Sequence, residues 1–194
     1  SGPRELWRSD DGATTWTRLR GDVREVFVDP RDAARVWASS RTGSPFARLL
    51  RSGDGGASFE TLLELTGDAR VTDLDVDARR NRVWMTTSDG LYLAEDDRTF
   101  VRIDARPREA VRVVGDVGDV LLVTDDVGIF RSTDDGASFV QVAAIERAAL
   151  AVAPSDPDRV HAWRDDTLLV SDDAGASWDD RGVPGSHFAD VEVD

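Results

Sequence analysis

The chain has 194 residues, 40% of them apolar and 32% charged, with 38 acidic against 24 basic side chains and a net charge of −14. That balance suits one packed domain over residues 1–194, and the acidic excess argues against nucleic acid or an anionic membrane surface as partner. With no cysteine, disulfides, thiolate metal sites and cysteine nucleophiles are excluded, and no apolar run reaches the roughly 18 residues that a membrane-spanning helix needs.

The first residues, Ser1-Gly2-Pro3, read as a processed or tag-cleaved end. A short apolar strand, Glu5–Arg8, then leads into the eight residues Ser9–Trp16, which read Ser-Asp-Asp-Gly-Ala-Thr-Thr-Trp. The same arrangement returns at Ser52–Phe59, Ser132–Phe139 and Ser171–Trp178, with a worn copy at Leu93–Phe100, so that starts fall at 9, 52, 93, 132 and 171. A period of about 40 residues is the length of one propeller blade.

Each later copy also follows a short strand: Ala47–Arg51, Leu91–Leu93, Gly128–Arg131 and Thr167–Val170. Two more strands fill each period. The first kind comprises Val26–Pro30, Leu74–Asp77, Val111–Val114, Leu150–Pro154 and finally Ala189–Val193. The second comprises Arg35–Ala38, Arg82–Met85, Val120–Val123 and Arg159–Ala162. Proline- and aspartate-rich turns divide first from second, and no segment has sustained helical periodicity with caps. The fold class is therefore all-β, with four strands per repeat.

The repeated segment reads as a hairpin connection. Ser9, Ser52, Ser132 and Ser171 open it, and Asp11, Asp54, Asp134 and Asp173 can accept backbone N–H bonds within the turn. Gly56, Gly136 and Gly175 suit positive φ, and the closing aromatics Trp16, Phe59, Phe139 and Trp178 are expected to tuck between neighbouring sheets. These segments resemble the Asp-box, or BNR, repeat, whose signature is Ser-x-Asp-x-Gly-x-x-Trp or Phe. Three copies match, Ala13 replaces the glycine of the first, and the worn copy keeps only its aromatic. The resemblance implies a β-propeller similar to those of sialidases, sortilin-type receptors, some endoglucanases and photosystem-assembly factors. It also implies that the box is a structural turn distant from the ligand face, and it favours an exported or extracytoplasmic protein.

Nineteen strands can be counted, one short of five complete blades. The expected ring has five blades and is closed by both termini, with residues 5–20 as outer pair and 187–193 as inner strand. A three-stranded closing blade, an unusual contribution from the first five residues, and membership of a larger ring are the open ways to accommodate the missing strand.

Catalysis of the sialidase type needs a tyrosine, a glutamate and an aspartate acid/base. Tyr92 is the only tyrosine, glutamates number eight against 30 aspartates, and the repeat register places none beside Tyr92, so sialidase chemistry is disfavoured. Asp10-Asp11, Asp134-Asp135 and Asp172-Asp173 lack calcium-loop spacing, and His161 and His187 fall in different repeats, so neither metal nor cofactor is expected. Loops before successive first-type strands carry Arg24, Arg70, Arg108, Arg147 and His187, a recurring basic group on the face opposite the boxes. Nearby carboxylates at Asp22, Asp68, Glu109 and Glu146 could simply pair with them. Turns at Arg41, Asp89, Asp125, Asp126 and Arg164–Asp166 add mixed charge to that face. The reading favoured by these residues is a non-enzymatic recognition or scaffold domain for a protein or peptide. The alternative is a glycan-binding or glycoside-hydrolysing propeller using carboxylates. The absent lysines and the arginine, alanine and aspartate bias suggest a bacterium with a GC-rich genome, with an acidic halophilic composition as the alternative. The oligomeric state is left unassigned.

Overall fold

A computed structural model describes residues 4–40, 47–106, 108–115 and 120–182. Its described residues form one two-stranded and four four-stranded sheets. The small sheet pairs β1 (Glu5–Arg8) with β2 (Thr17–Gly21). The next holds β3 (Val23–Asp29), β4 (Asp32–Ser40), β5 (Ala47–Ser52) and β6 (Glu60–Leu65). The third holds β7 (Val71–Asp77), β8 (Arg82–Thr87), β9 (Gly90–Ala94) and β10 (Phe100–Asp104). The fourth holds β11 (Ala110–Val114), β12 (Val120–Thr124), β13 (Ile129–Ser132) and β14 (Val140–Ala143). The last holds β15 (Ala149–Ala153), β16 (Asp156–Arg164), β17 (Thr167–Ser171) and β18 (Asp179–Asp180). Strands run in sequence order across each sheet, and sequential neighbours such as β11, β12 and β13 pair antiparallel. The architecture is a repeat of four-stranded sheets of the propeller kind. The chain divides into two compact units, Ser1–Val71 with Arg98–Phe100, and Thr72–Asp97 with Val101–Asp194.

Burial within a sheet follows from which strands have neighbours on both faces. Second and third strands are the most buried, and β8, β9 and β12 are buried along their whole length. Fourth strands are the most exposed, leaving Val101 and Val140 open to solvent. Within the second unit the period of two is direct. Leu122 and Val120 of β12 enter a core with Ile129, Leu150 and Val160, whereas Leu121 and Val123 enter the opposite core with Trp84, Leu91 and Val111.

The Ser-x-Asp turn is built identically in all four better copies. Ser52 Oγ donates to Asp54 Oδ1 at 2.7 Å and accepts the Gly56 N–H at 2.8 Å. Asp54 then accepts the Ser58 N–H at 2.9 Å and the Ser58 hydroxyl at 2.6 Å. Ser9 and Asp11, Ser132 and Asp134, and Ser171 and Asp173 repeat these bonds. The hydroxyl before the aromatic, at Thr15, Ser58, Ser138 and Ser177, is thus part of the turn, a role the sequence reading missed. Ala13 occupies the glycine position with φ of +67°, and Asp97 holds a positive φ in the worn copy.

One expectation changes. Phe59, Phe139 and Trp178 pack against buried cores as foreseen, but Trp16 is 57% exposed. Phe59 covers Ala38 of the second strand and Leu50 of the third, whereas among the described residues the sheet beside Trp16 holds β1 and β2 and no second strand. The proposed closing strand at 187–193 lies outside the described residues.

Candidate functional site

The turns after the fourth strands and those between second and third strands supply the polar loops of the second unit. Arg147 stands at their centre. It lies in the β14–β15 connection with φ of +50°, and its N–H donates to the Asp125 carbonyl at 2.6 Å. Asp125 is itself buried, its carboxylate accepting the N–H groups of Val127 and Gly128 at 2.8 and 3.1 Å. An exposed arginine is therefore held in place from below by a buried turn.

Two polar hollows share Arg147 as a wall. One, of about 420 Å³, is bounded also by Glu146, Arg164, Asp165 and Thr167. The other, of about 270 Å³, is bounded by Thr72, Asp73, Glu109, Arg112 and Leu150. Among the described residues no carboxylate pairs with the Arg147 side chain, whereas Arg112 is committed to Asp73 at 2.5 Å and Arg164 lies 3.4 Å from Asp165. Together the hollows present donors and carboxylate acceptors of both signs, which can hydrogen-bond to hydroxyl groups and, where a proton must move, exchange it.

Behind the second hollow, β7 and β11 are joined through aspartates rather than a backbone ladder. Asp73 accepts the Val111 N–H at 3.1 Å, and Asp75 accepts the Val113 N–H at 2.7 Å. Burial pushes the Asp75 carboxyl up to about 6, against the pull of the Arg112 cation. The Asp73 and Arg112 contributions were missed in the sequence; the alternation Asp73-Leu74-Asp75 in a first-type strand was the available signal.

Of the four basic candidates among the described residues, Arg147 alone walls both hollows. Arg24 is exposed on β3, in the first unit, and Arg70 is exposed in the β6–β7 connection. His187 lies outside the described residues. Arg108 is a correction. It is 2% exposed, bonded to Asp125 at 3.1 Å and Asp104 at 2.8 Å, and its guanidinium lies over the rings of Phe130 and Phe139. A buried cation held by two carboxylates beneath two rings serves as a structural clamp between these elements. Tyr92 is packed within β9, its hydroxyl near Asp89.

No family model matches the chain, and no curated protein matches it by sequence. Solved structures do resemble it. An ancestral GH74 enzyme superposes with TM-score 0.66 and 17% identity over 86% of this chain and 25% of its own. YCF48 bound to D1 peptide gives 0.64 and 16% over 91% of this chain and 61% of its own. The GH74 xyloglucanase from Xanthomonas campestris gives 0.60 and 17% over 90% and 41%. The chain thus spans less than two thirds of the length of each of these structures. At such identities the likeness establishes a common propeller-type fold, shared by a peptide-bound protein and by glycan-acting enzymes. The expectation favouring a non-enzymatic domain is corrected by the GH74 structures: this architecture carries glycoside hydrolases, so lacking a sialidase-type residue set is no argument against catalysis.

Proposed function

We propose that the chain is an Asp-box propeller module directed at glycans, binding an oligosaccharide across the two hollows that Arg147 separates. The observation that carries this reading is the shared, unpaired Arg147 flanked by carboxylates on both sides. The two volumes, about 420 and 270 Å³, bracket the lower end of the range usual for small-molecule sites. An uncharged sugar suits walls of mixed sign, because each hydroxyl both donates and accepts. The GH74 likeness supports the same class of ligand.

Glu146, Asp165, Glu109 and Asp73 are the carboxylates placed to serve. Hydrolysis of a glycosidic bond needs one carboxylic acid to protonate the leaving oxygen and one carboxylate to activate water or attack the sugar. We assign these roles to this set as a group. The test is an oligosaccharide array read alongside a panel of chromogenic glycosides, with the full chain and with R147A, E146Q and D165N. Array binding that falls at least tenfold in R147A supports the site. Turnover lost in E146Q or D165N with binding retained supports hydrolysis. Binding indifferent to all three variants overturns the assignment.

A further inference from the structure

The guanidinium of Arg108 has three nitrogens, and the fold provides partners for two of them. Nη1 donates to Asp125 at 3.1 Å and Nη2 to Asp104 at 2.8 Å. The Nε–H has no partner among the described residues, although the side chain is 2% exposed. Nε–H and Nη2 share one edge of a guanidinium, the edge that a carboxylate ordinarily bridges with both of its oxygens. Asp104 does not bridge it, because its other oxygen accepts the Arg106 N–H at 3.0 Å in the turn that follows β10. Half of the fork is left open, and an unpaired donor on a buried cation is costly to keep.

Arg108 and Asp104 both line a hollow of about 280 Å³ in the second unit, whose other walls include Ile103, Arg106, Ala137 and Phe139. The open edge, lying beside Asp104, gives onto it. Asp104 keeps lone pairs for a further donor, since each carboxylate oxygen accepts more than one N–H. Ile103, Ala137 and the Phe139 ring are apolar. The Arg108 Nε is itself covered, so an entering acceptor needs a wall that yields. Arg106 is the wall least held: its side chain is 55% exposed, its guanidinium lies 5.3 Å over the Phe130 ring, and it stands 3.8 Å from Asp125.

We propose that this hollow binds a secondary acetamide, the N-acetyl group of a small ligand, with Arg106 swinging aside to admit it. The acetamide oxygen accepts the Arg108 Nε–H, its N–H donates to Asp104, and its methyl group rests against Ile103 and Phe139. A carboxylate would bring a third negative charge to two arginines already matched by Asp104 and Asp125. The amide adds no charge, and it supplies the donor that Asp104 can still take. The hollow shares no residue with those beside Arg147, so it stands apart from the glycan reading.

The readout is the Arg108 Nε–H signal in a proton–nitrogen correlation spectrum of the full chain. It is assigned by its loss in R108K or, should that variant not fold, by through-space contacts to the Phe130 and Phe139 rings. N-methylacetamide, N-acetylglucosamine and N-acetylglycine are the probes, with glucose and glycine as counterparts that lack the acetamide. Expected is a saturable shift of that signal with the acetyl compounds and none with glucose or glycine. A137W, a change at an exposed position, fills the hollow and should weaken binding at least tenfold with the circular dichroism spectrum unchanged, whereas R106A should leave binding intact or tighten it. A response to either N-acetyl compound supports the site, and the tighter of the two shows whether the acetyl group arrives on a sugar or on an amino acid. No shift with any acetamide overturns the proposal. An equal shift with glucose, a shift that survives in A137W, or loss of binding in R106A overturns it as well.

Discussion

Ala13 sits where the repeat calls for glycine, at a φ of +67° that an L-residue with a Cβ adopts at a cost. The turn keeps its hydrogen bonds nonetheless, since Ser9 accepts the Ala13 N–H at 2.8 Å. A13G is therefore expected to raise stability by about 1 kcal/mol, the size of the left-handed penalty relieved, measurable as an increase in Tm. Two other aspartates give opposite pH responses. Hydrogen bonds from the Ser58 hydroxyl, the Ser58 N–H and Ser52 hold Asp54 down to about 2, from an ordinary 3.8. Its stabilising contribution is complete above about pH 4 and lost as pH falls towards 2. Asp75, raised by burial to about 6, has the reverse sign: the folded state holds the extra proton, so stability declines as pH rises from about 4 to 6. Urea denaturation across pH 2–8 should show D54N flattening the acid limb and D75N flattening the fall between 4 and 6. Identical profiles for wild type and D75N would show that Asp75 is not held in its neutral form.

At the scale of strands, position in the sheet decides what a side chain is worth. Leu122 is fully buried between sheets and abuts Gly175, so L122A is expected to cost about 2–5 kcal/mol. Val140, 68% exposed on a fourth strand, should tolerate alanine within about 0.5 kcal/mol. Denaturant midpoints of the two variants provide the comparison, and equal losses would contradict the assigned strand order. That order was legible beforehand, because the Ser-x-Asp turns recur at a nearly fixed spacing and anchor every strand around them. Glu5–Arg8 was placed to the residue, and β8, β12 and β17 within two residues at one end. Individual side-chain environments were not legible. Arg108 reads as one of five loop arginines, but its partners Asp125, Phe130 and Phe139 come from distant positions that only the packed sheets bring together. Trp16 shows the converse, since its local turn matches the others while no second strand for it to cover is found in its sheet among the described residues.

At the scale of the whole molecule, the net charge of −14 constrains which glycans could approach the Arg147 hollows under the proposed function. One unpaired arginine cannot reverse a field set by 38 acidic side chains against 24 basic ones, and that field extends about 10 Å at 0.1 M salt. Uronate- or sulfate-bearing oligosaccharides must climb this potential, whereas neutral ones do not. A neutral oligosaccharide selected on the array should therefore keep its affinity, within about twofold, between 20 and 300 mM salt. Its uronate counterpart should bind more weakly at 20 mM and recover part of the difference at 300 mM, as screening shortens the repulsion. Titration calorimetry at the two salt concentrations distinguishes the cases. Tighter binding of the anionic sugar at low salt would show that the local field of Arg147, Arg112 and Arg164 dominates the molecular charge, and the ligand would then have to be sought among acidic glycans.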